Sequence, residues 1–206
     1  MKRIIERRSI VNISATDDRD IKGTAIVFNK ESSLLQGMFK EIIKPEAATQ
    51  DFINRCDIIM VWNHEDQHIP MARSKFGKGT LKIEVTSSGV NFSFKARNTP
   101  QGDEILAAVR CGDVDSCSFS FIVPEGGDQW TNKPDGTYLR TVTKFELIRD
   151  FSLVNDPAYV EASCRSLDKV KQIEARQNKK FSDSFKSQSE FNAYYSNLEK
   201  VIKRFN

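Results

Sequence analysis

The chain has 206 residues, 39% of them hydrophobic and 29% charged, with 14 Phe. That is enough apolar material for one core of ordinary size plus an appendage, and it excludes a disordered or collagen-like polymer. A net charge of +3 is too weak a field to argue for nucleic acid, which wants a basic stripe with interleaved aromatics. No run approaches the roughly 20 apolar residues that cross a bilayer. Cys56, Cys111, Cys117 and Cys164 form no CxxC pair, and MKRIIERRSI lacks the apolar core of a signal peptide, which points to a soluble protein of a reducing cytoplasm.

In chain order, IKGTAIVFN (21–29) alternates around a glycine and FKEII (39–43) is a second short apolar run, so both predict strands. PEAATQDFINRC (45–56) has Pro first, an early acid and apolar residues at helical spacing, which predicts a short helix leading into a buried strand, DIIMVW (57–62). After the loop NHEDQHIPMARSKFGKG, the segments TLKIEVT and VNFSFKA alternate with period two around SSG and predict a hairpin. TPQGDEILAAVRCGD (99–113) carries Thr99 at a capping position, Pro100 in the first turn and Gly112 past the end, the signature of a helix of about three turns. SCSFSFIV (116–123) predicts a strand with Cys117, Phe119 and Phe121 on one face. A hairpin region, EGGDQWTNKPDGT, then leads into one long strand, YLRTVTKFELIRDFSLV (138–154).

From about Cys164 the chain has no Gly or Pro and about twice as many basic as acidic residues. Ser187 and Glu190 form a capping box ahead of SEFNAYYSNLEKVIKRF, whose apolar positions 191, 194, 195, 198, 201, 202 and 205 predict an amphipathic helix. The expected fold is α+β and mainly β: a mostly antiparallel β-barrel over residues 1–164, with a basic helical extension over 165–206 that binds a partner or is removed, the alternative being a helix docked on its own barrel.

Two histidines, His64 and His68, limit any imidazole chemistry to one loop. Together with Glu65 they satisfy HExxH, in which two His one helical turn apart bind zinc and the Glu activates water. That mechanism needs a helix, whereas these residues follow a strand-like run and run into Ile69 and Pro70. A third ligand would have to be a remote carboxylate such as Glu104. The alternative is His64 as a general base, which needs a nucleophile within reach. SCSFSF offers Ser116, Ser118 and Ser120 on one strand face, and spacing by itself favours ordinary strand serines.

Several separated segments, in order and with similar gaps, resemble the prohead serine protease family of tailed bacteriophages: GTAIVFN with FKEIIKPEAA, VWNHEDQHIPMARSKFGKGTLKI, VRCGDVDSCSFSF and LIRDFSLVNDPAYVEAS. The likeness covers about residues 20–165. It implies that His64 is the base, with Glu65 where the family more often has Asp, and that Ser118 is the nucleophile, with Ser120 in place of a customary Gly. It aligns the family's E-V-S segment with Asp150, Phe151 and Ser152, so that Asp150 stands behind His64; a surface or salt-bridged Asp is the alternative. Cys117 offers a thiol beside Ser118, but alternation turns it to the opposite, Phe-rich face.

The resemblance further implies a fold similar to herpesvirus assembly proteases, a barrel surrounded by helices, with no metal or other cofactor and no nucleic-acid or membrane partner. The implied activity is a serine endopeptidase that cleaves scaffold, or the scaffold-like region of the major capsid protein, and cleaves itself, inside the phage procapsid in the bacterial host cytoplasm. On that reading the 165–206 extension binds scaffold or is removed by self-cleavage, and self-association stays open. Besides the zinc hydrolase, the rival is a non-catalytic capsid assembly factor, motivated by the departures at Glu65 and Ser120.

Overall fold

The computed structural model describes residues 5–35 and 37–155. The predicted C-terminal helix and the 165–206 domain lie outside the described residues. Along the chain run β1 (Glu6–Val11), β2 (Ile13–Ala15), β3 (Asp20–Val27), β4 (Phe39–Ile43), a 3-10 turn (Pro45–Ala48), α1 (Gln50–Ile53) and β5 (Asp57–Trp62). They are followed by β6 (Ala72–Lys75), β7 (Lys78–Gly79), β8 (Lys82–Val85), β9 (Gly89–Lys95) and α2 (Pro100–Cys111). The last four strands are β10 (Ser116–Ile122), β11 (Asp128–Asn132), β12 (Tyr138–Val142) and β13 (Leu147–Val154).

The fold is α+β and mainly β, but the described strands do not close into a barrel. They form three sheets, ordered β1-β10-β13-β5-β6-β7, β2-β3-β9-β8 and β11-β12-β4. Most neighbours pair antiparallel; β13 with β5 and β12 with β4 run parallel. One core joins the sheets, with Ile21 and Ile26 from β3, Phe92 and Phe94 from β9, Val142 from β12 and Phe119 and Phe151 from the six-stranded sheet. Phe119, Phe121 and Phe145 stack and tilt against one another at its centre, with ring centroids 4.9–6.1 Å apart.

Two predicted elements differ in extent. The helix expected over 45–56 is interrupted at Thr49, whose ψ of 160° is extended and whose hydroxyl instead caps the single turn of α1 by accepting the Phe52 N–H at 3.2 Å. The long strand expected over 138–154 breaks after Val142, because its two halves serve different sheets: β12 pairs with β11 and β4, and β13 with β10 and β5. Thr143 and Lys144 turn the corner by donating their N–H groups to the Gly127 carbonyl. The N-terminal strands β1 and β2 were not anticipated. Helix α2 keeps its predicted caps: Thr99 accepts from the Gly102 N–H at 3.2 Å and Gly112 closes the helix at φ 80°. Gly102 is required by contact, since a Cβ there would stand 2.1 Å from the Arg97 carbonyl oxygen.

A buried ionic network ties β1 to β4, β11 and β12. Arg8 donates to Glu41 at 2.7 and 2.8 Å and to Glu6 at 3.1 Å. Arg140 donates to Glu6 at 2.9 Å, to Glu41 at 3.0 Å and to Asp128 at 2.8 Å. These groups lie in the interior, with Arg140 only 1% exposed. Charges removed from water need this degree of mutual pairing to be tolerated. The network joins the six-stranded sheet to the three-stranded one and fixes the strand that flanks Ser118, since Ser9 pairs with Ser118.

Candidate active site

Strand β10 divides its side chains by face. Cys117, Phe119 and Phe121 enter the core, while Ser116, Ser118 and Ser120 share the opposite face. On the neighbouring strand β13, Ser152 pairs with Ser118 and Asp150 with Ser120, which brings a carboxylate onto the serine face. Strand β5, parallel to β13 on its far side, then delivers His64 from its C-terminal end.

Just past Trp62 the chain turns sharply, with Asn63 at φ 43° and His64 at φ 59°, both left-handed. Asn tolerates this conformation and His less readily, at a cost of roughly 1–2 kcal/mol. Contacts to β13 hold the turn. The Asn63 N–H donates to the Leu153 carbonyl at 3.0 Å and the His64 N–H to Ser152 Oγ at 2.8 Å. Arg149, also on β13, forms an ion pair with Asp66 of the same loop.

So placed, the His64 ring bridges three side chains. Its Nδ1 is 2.5 Å from Asp150 Oδ1 and 3.1 Å from Ser120 Oγ, and its Nε2 is 2.7 Å from Ser118 Oγ. An ionised carboxylate only accepts, so Nδ1 carries the proton and Nε2 presents its lone pair to the Ser118 hydroxyl. The His64 and Asp150 side chains are 5% and 6% exposed, and Ser118 and Ser152 are fully buried. A hydrogen bond to a charged partner in such surroundings is stronger than in water.

The structure therefore brings His64, Ser118 and Asp150 together and gives two residues contacts the sequence reading did not assign, Ser120 on Nδ1 and Ser152 beneath the His64 backbone. Their positions two residues from Ser118 and Asp150 on the same strand faces were the available signal. Cys117 lies in the core, and burial first of all, followed by the nearby Asp150 charge, pushes its thiol far up, so it is no thiolate nucleophile. His68 is an exposed partner of Glu65 at 3.3 Å. Residues 63–71 form turns and no helix, so the His64, Glu65 and His68 set lacks the helical face that HExxH zinc binding uses. No group of three or more His, Cys, Asp or Glu able to hold a metal occurs among the described residues.

A carboxylate, an imidazole and a hydroxyl in hydrogen-bonded series, on a mainly β scaffold, have the geometry used by serine hydrolases. A sequence profile of the caudovirus prohead serine proteases matches residues 6–176, and the chain belongs to that family. The family consists of serine peptidases of phage proheads, and capsid maturation is its setting. Comparison with curated proteins and comparison with solved structures each gave no match. No helix among the described residues is long and apolar enough to cross a membrane.

Proposed function

We propose that the chain is a serine endopeptidase in which Ser118 is the nucleophile, His64 the general base and Asp150 the carboxylate that orients it. The continuous series from Asp150 through His64 to Ser118, at 2.5 and 2.7 Å, carries this reading. Ser118 Oγ attacks the scissile carbonyl carbon while its proton passes to His64 Nε2. Asp150 holds Nδ1–H throughout and stabilises the imidazolium. As the tetrahedral intermediate collapses, His64 returns the proton to the departing amine, leaving an acyl-Ser118 ester. A water that gives a proton to His64 then attacks the ester carbon, and as the C–Oγ bond breaks His64 returns that proton to Ser118 Oγ, releasing the acid product and the free enzyme.

The substrate in this reading is scaffold protein, or the scaffold-like region of the major capsid protein, together with the protease itself, and the place is the interior of the procapsid in the bacterial host. Family membership supports the setting. A likeness of fold to herpesvirus assembly proteases belongs to the same proposal and is supported by the mainly β architecture. Complete burial of Ser118 favours a second reading, a capsid assembly factor that keeps the arrangement without turning over.

Coexpression with the capsid protein separates the two. Wild type should process it, and Ser118→Ala and His64→Ala should each abolish processing while remaining folded; normal processing by either variant refutes the assignment. Mass spectrometry of wild type and Ser118→Ala chains tests self-cleavage, which is excluded if both retain the full C-terminal extension.

A further inference from the structure

A cavity of about 640 Å³ is lined in part by Trp62 and Glu65, which flank His64 in the chain. Its floor is apolar: Val61, Trp62, Met71, Ile105 and Val114. Helix α2 supplies one wall with the stripe Gln101, Glu104, Ile105 and Ala108, positions that share a helix face. Its charged rim is acidic, being formed by Glu65, Glu104 and Asp113, and no Lys or Arg occurs among the described lining residues. Composition does not explain this, since the chain has 31 Lys and Arg against 28 Asp and Glu. Glu65 meets His68, whereas Glu104 and Asp113 have no ion-pair partner among the described residues.

The cavity adjoins the chemistry. Trp62 and Glu65 lie on either side of His64 in the chain, and the Glu65 N–H donates to the Trp62 carbonyl at 2.8 Å, so one turn carries both the base and part of the rim. Asn155, another lining residue, follows Ser152 by three positions, or about 10 Å at strand rise. An extended peptide covers that length in roughly three residues.

We infer that this cavity is a substrate subsite selecting a Lys or Arg side chain within about three positions of the scissile bond. The inference rests on the protease reading above. An apolar floor under an acidic rim suits a side chain with a hydrocarbon stem and a cationic tip: the stem covers Ile105 and Trp62, the indole faces the cation, and the tip reaches Glu104 and Asp113. An acidic side chain meets repulsion in the same place. Exposed ion pairs at the weak end of their range change binding by about 1.5-fold each, so attraction for Lys and repulsion for Glu across three carboxylates yield a selectivity of roughly tenfold.

The test separates binding from catalysis. The full-length Ser118→Ala chain is applied to an array of random hexapeptides. Enrichment of Lys or Arg over Asp or Glu by about tenfold at one position, weakening as salt is added, is the expected result. Adding Glu104→Lys, or separately Asp113→Lys, should reduce or invert that ratio, and a ratio is insensitive to any general loss of affinity. Absence of enrichment, or a ratio that neither charge reversal moves, overturns the subsite. The protease reading is checked independently by labelling Ser118 of the wild-type chain with a small fluorophosphonate. Selective peptide binding without labelling would leave the subsite standing and remove the nucleophile; labelling without selectivity would do the reverse.

Discussion

Replacing Ser152 by Ala tests whether the backbone of the base, and not only its ring, is held in place. Ser152 Oγ is fully buried, accepts the His64 N–H at 2.8 Å and shares its own proton between the Val61 and Leu153 carbonyls, both at 3.3 Å. The variant leaves the His64 N–H without this acceptor, which costs about 1–3 kcal/mol. The two long bonds add little. Because His64 is left-handed at φ 59°, loss of its anchor favours relaxation of the turn toward ordinary backbone geometry. That relaxation shifts the ring relative to Ser118, and a misplacement of about 1 Å costs on the order of a hundredfold in rate. Urea denaturation should thus show a loss of about 1–3 kcal/mol. Cleavage of the capsid protein, assayed where the variant remains folded, should fall 10- to 100-fold in kcat with a smaller change in KM. Ser152→Thr, which keeps a hydroxyl, should recover part of both. A stability loss of the expected size with unchanged kcat would refute the claim that this bond aligns the base.

Asp150→Asn should keep the fold and lower kcat by about 10³–10⁴-fold, because an amide can donate to Nδ1 and favour the wrong tautomer; combining it with Ser118→Ala should add almost nothing. Ser120→Gly removes the 3.1 Å contact to Nδ1 and should lower kcat severalfold while shifting the pH profile of kcat/KM, which a purely structural serine would leave in place. Arg140→Ala strands buried carboxylates and should destabilise the fold by about 3–5 kcal/mol in thermal or urea unfolding, with Arg140→Lys a poor substitute because it cannot reproduce the forked contacts. Burial alone would raise the Glu6 carboxyl, but the Arg140 charge and hydrogen bond, then those of Arg8, hold it below its ordinary value of 4.5. Its contribution to stability is therefore present above that value and lost as pH falls through the lower folded value. Urea midpoints measured from pH 6 to pH 3 should drop more steeply for wild type than for Glu6→Gln.

Local rules made much of the scaffold legible. FKEII and DIIMVW are strands with the predicted limits, and the hairpin at 80–96 and the capped helix at 99–113 have the expected character. What escaped depends on which strand meets which. Residues 138–154 have one continuous β pattern, yet their halves pair in separate sheets, and no periodicity carries that information. The same limit explains the expectation of a closed barrel: alternation predicts strands but not whether the outermost ones meet. In the site, the alternation of SCSFSF placed Ser118 and Cys117 on opposite faces, whereas choosing among three serines required resemblance to a family. The contacts of Ser152 and Ser120 to His64 were not foreseen because they cross 88 and 56 positions of sequence.

Register also explains why Asp150 can face the serines at all. Ser120 pairs with Asp150, but its neighbour Phe121 pairs with Ile148, so Arg149 is an extra residue, a β-bulge. Without it, strict alternation would put Ile148 on the same face as Asp150 and Ser152. With it, Ile148 and Phe151, three apart, both enter the core, while Asp150 and Ser152 remain on the serine face. The bulged Arg149 is exposed and available to pair with Asp66, which ties down the loop bearing His64. One inserted residue thus resolves the competing demands of core and site and helps secure His64. The sequence carries a trace of it: in LIRDFSL the apolar Ile148 is out of phase with Phe151 and Leu153. A break in alternation beside a buried carboxylate marks the place where the strand bulges to turn Asp150 toward His64.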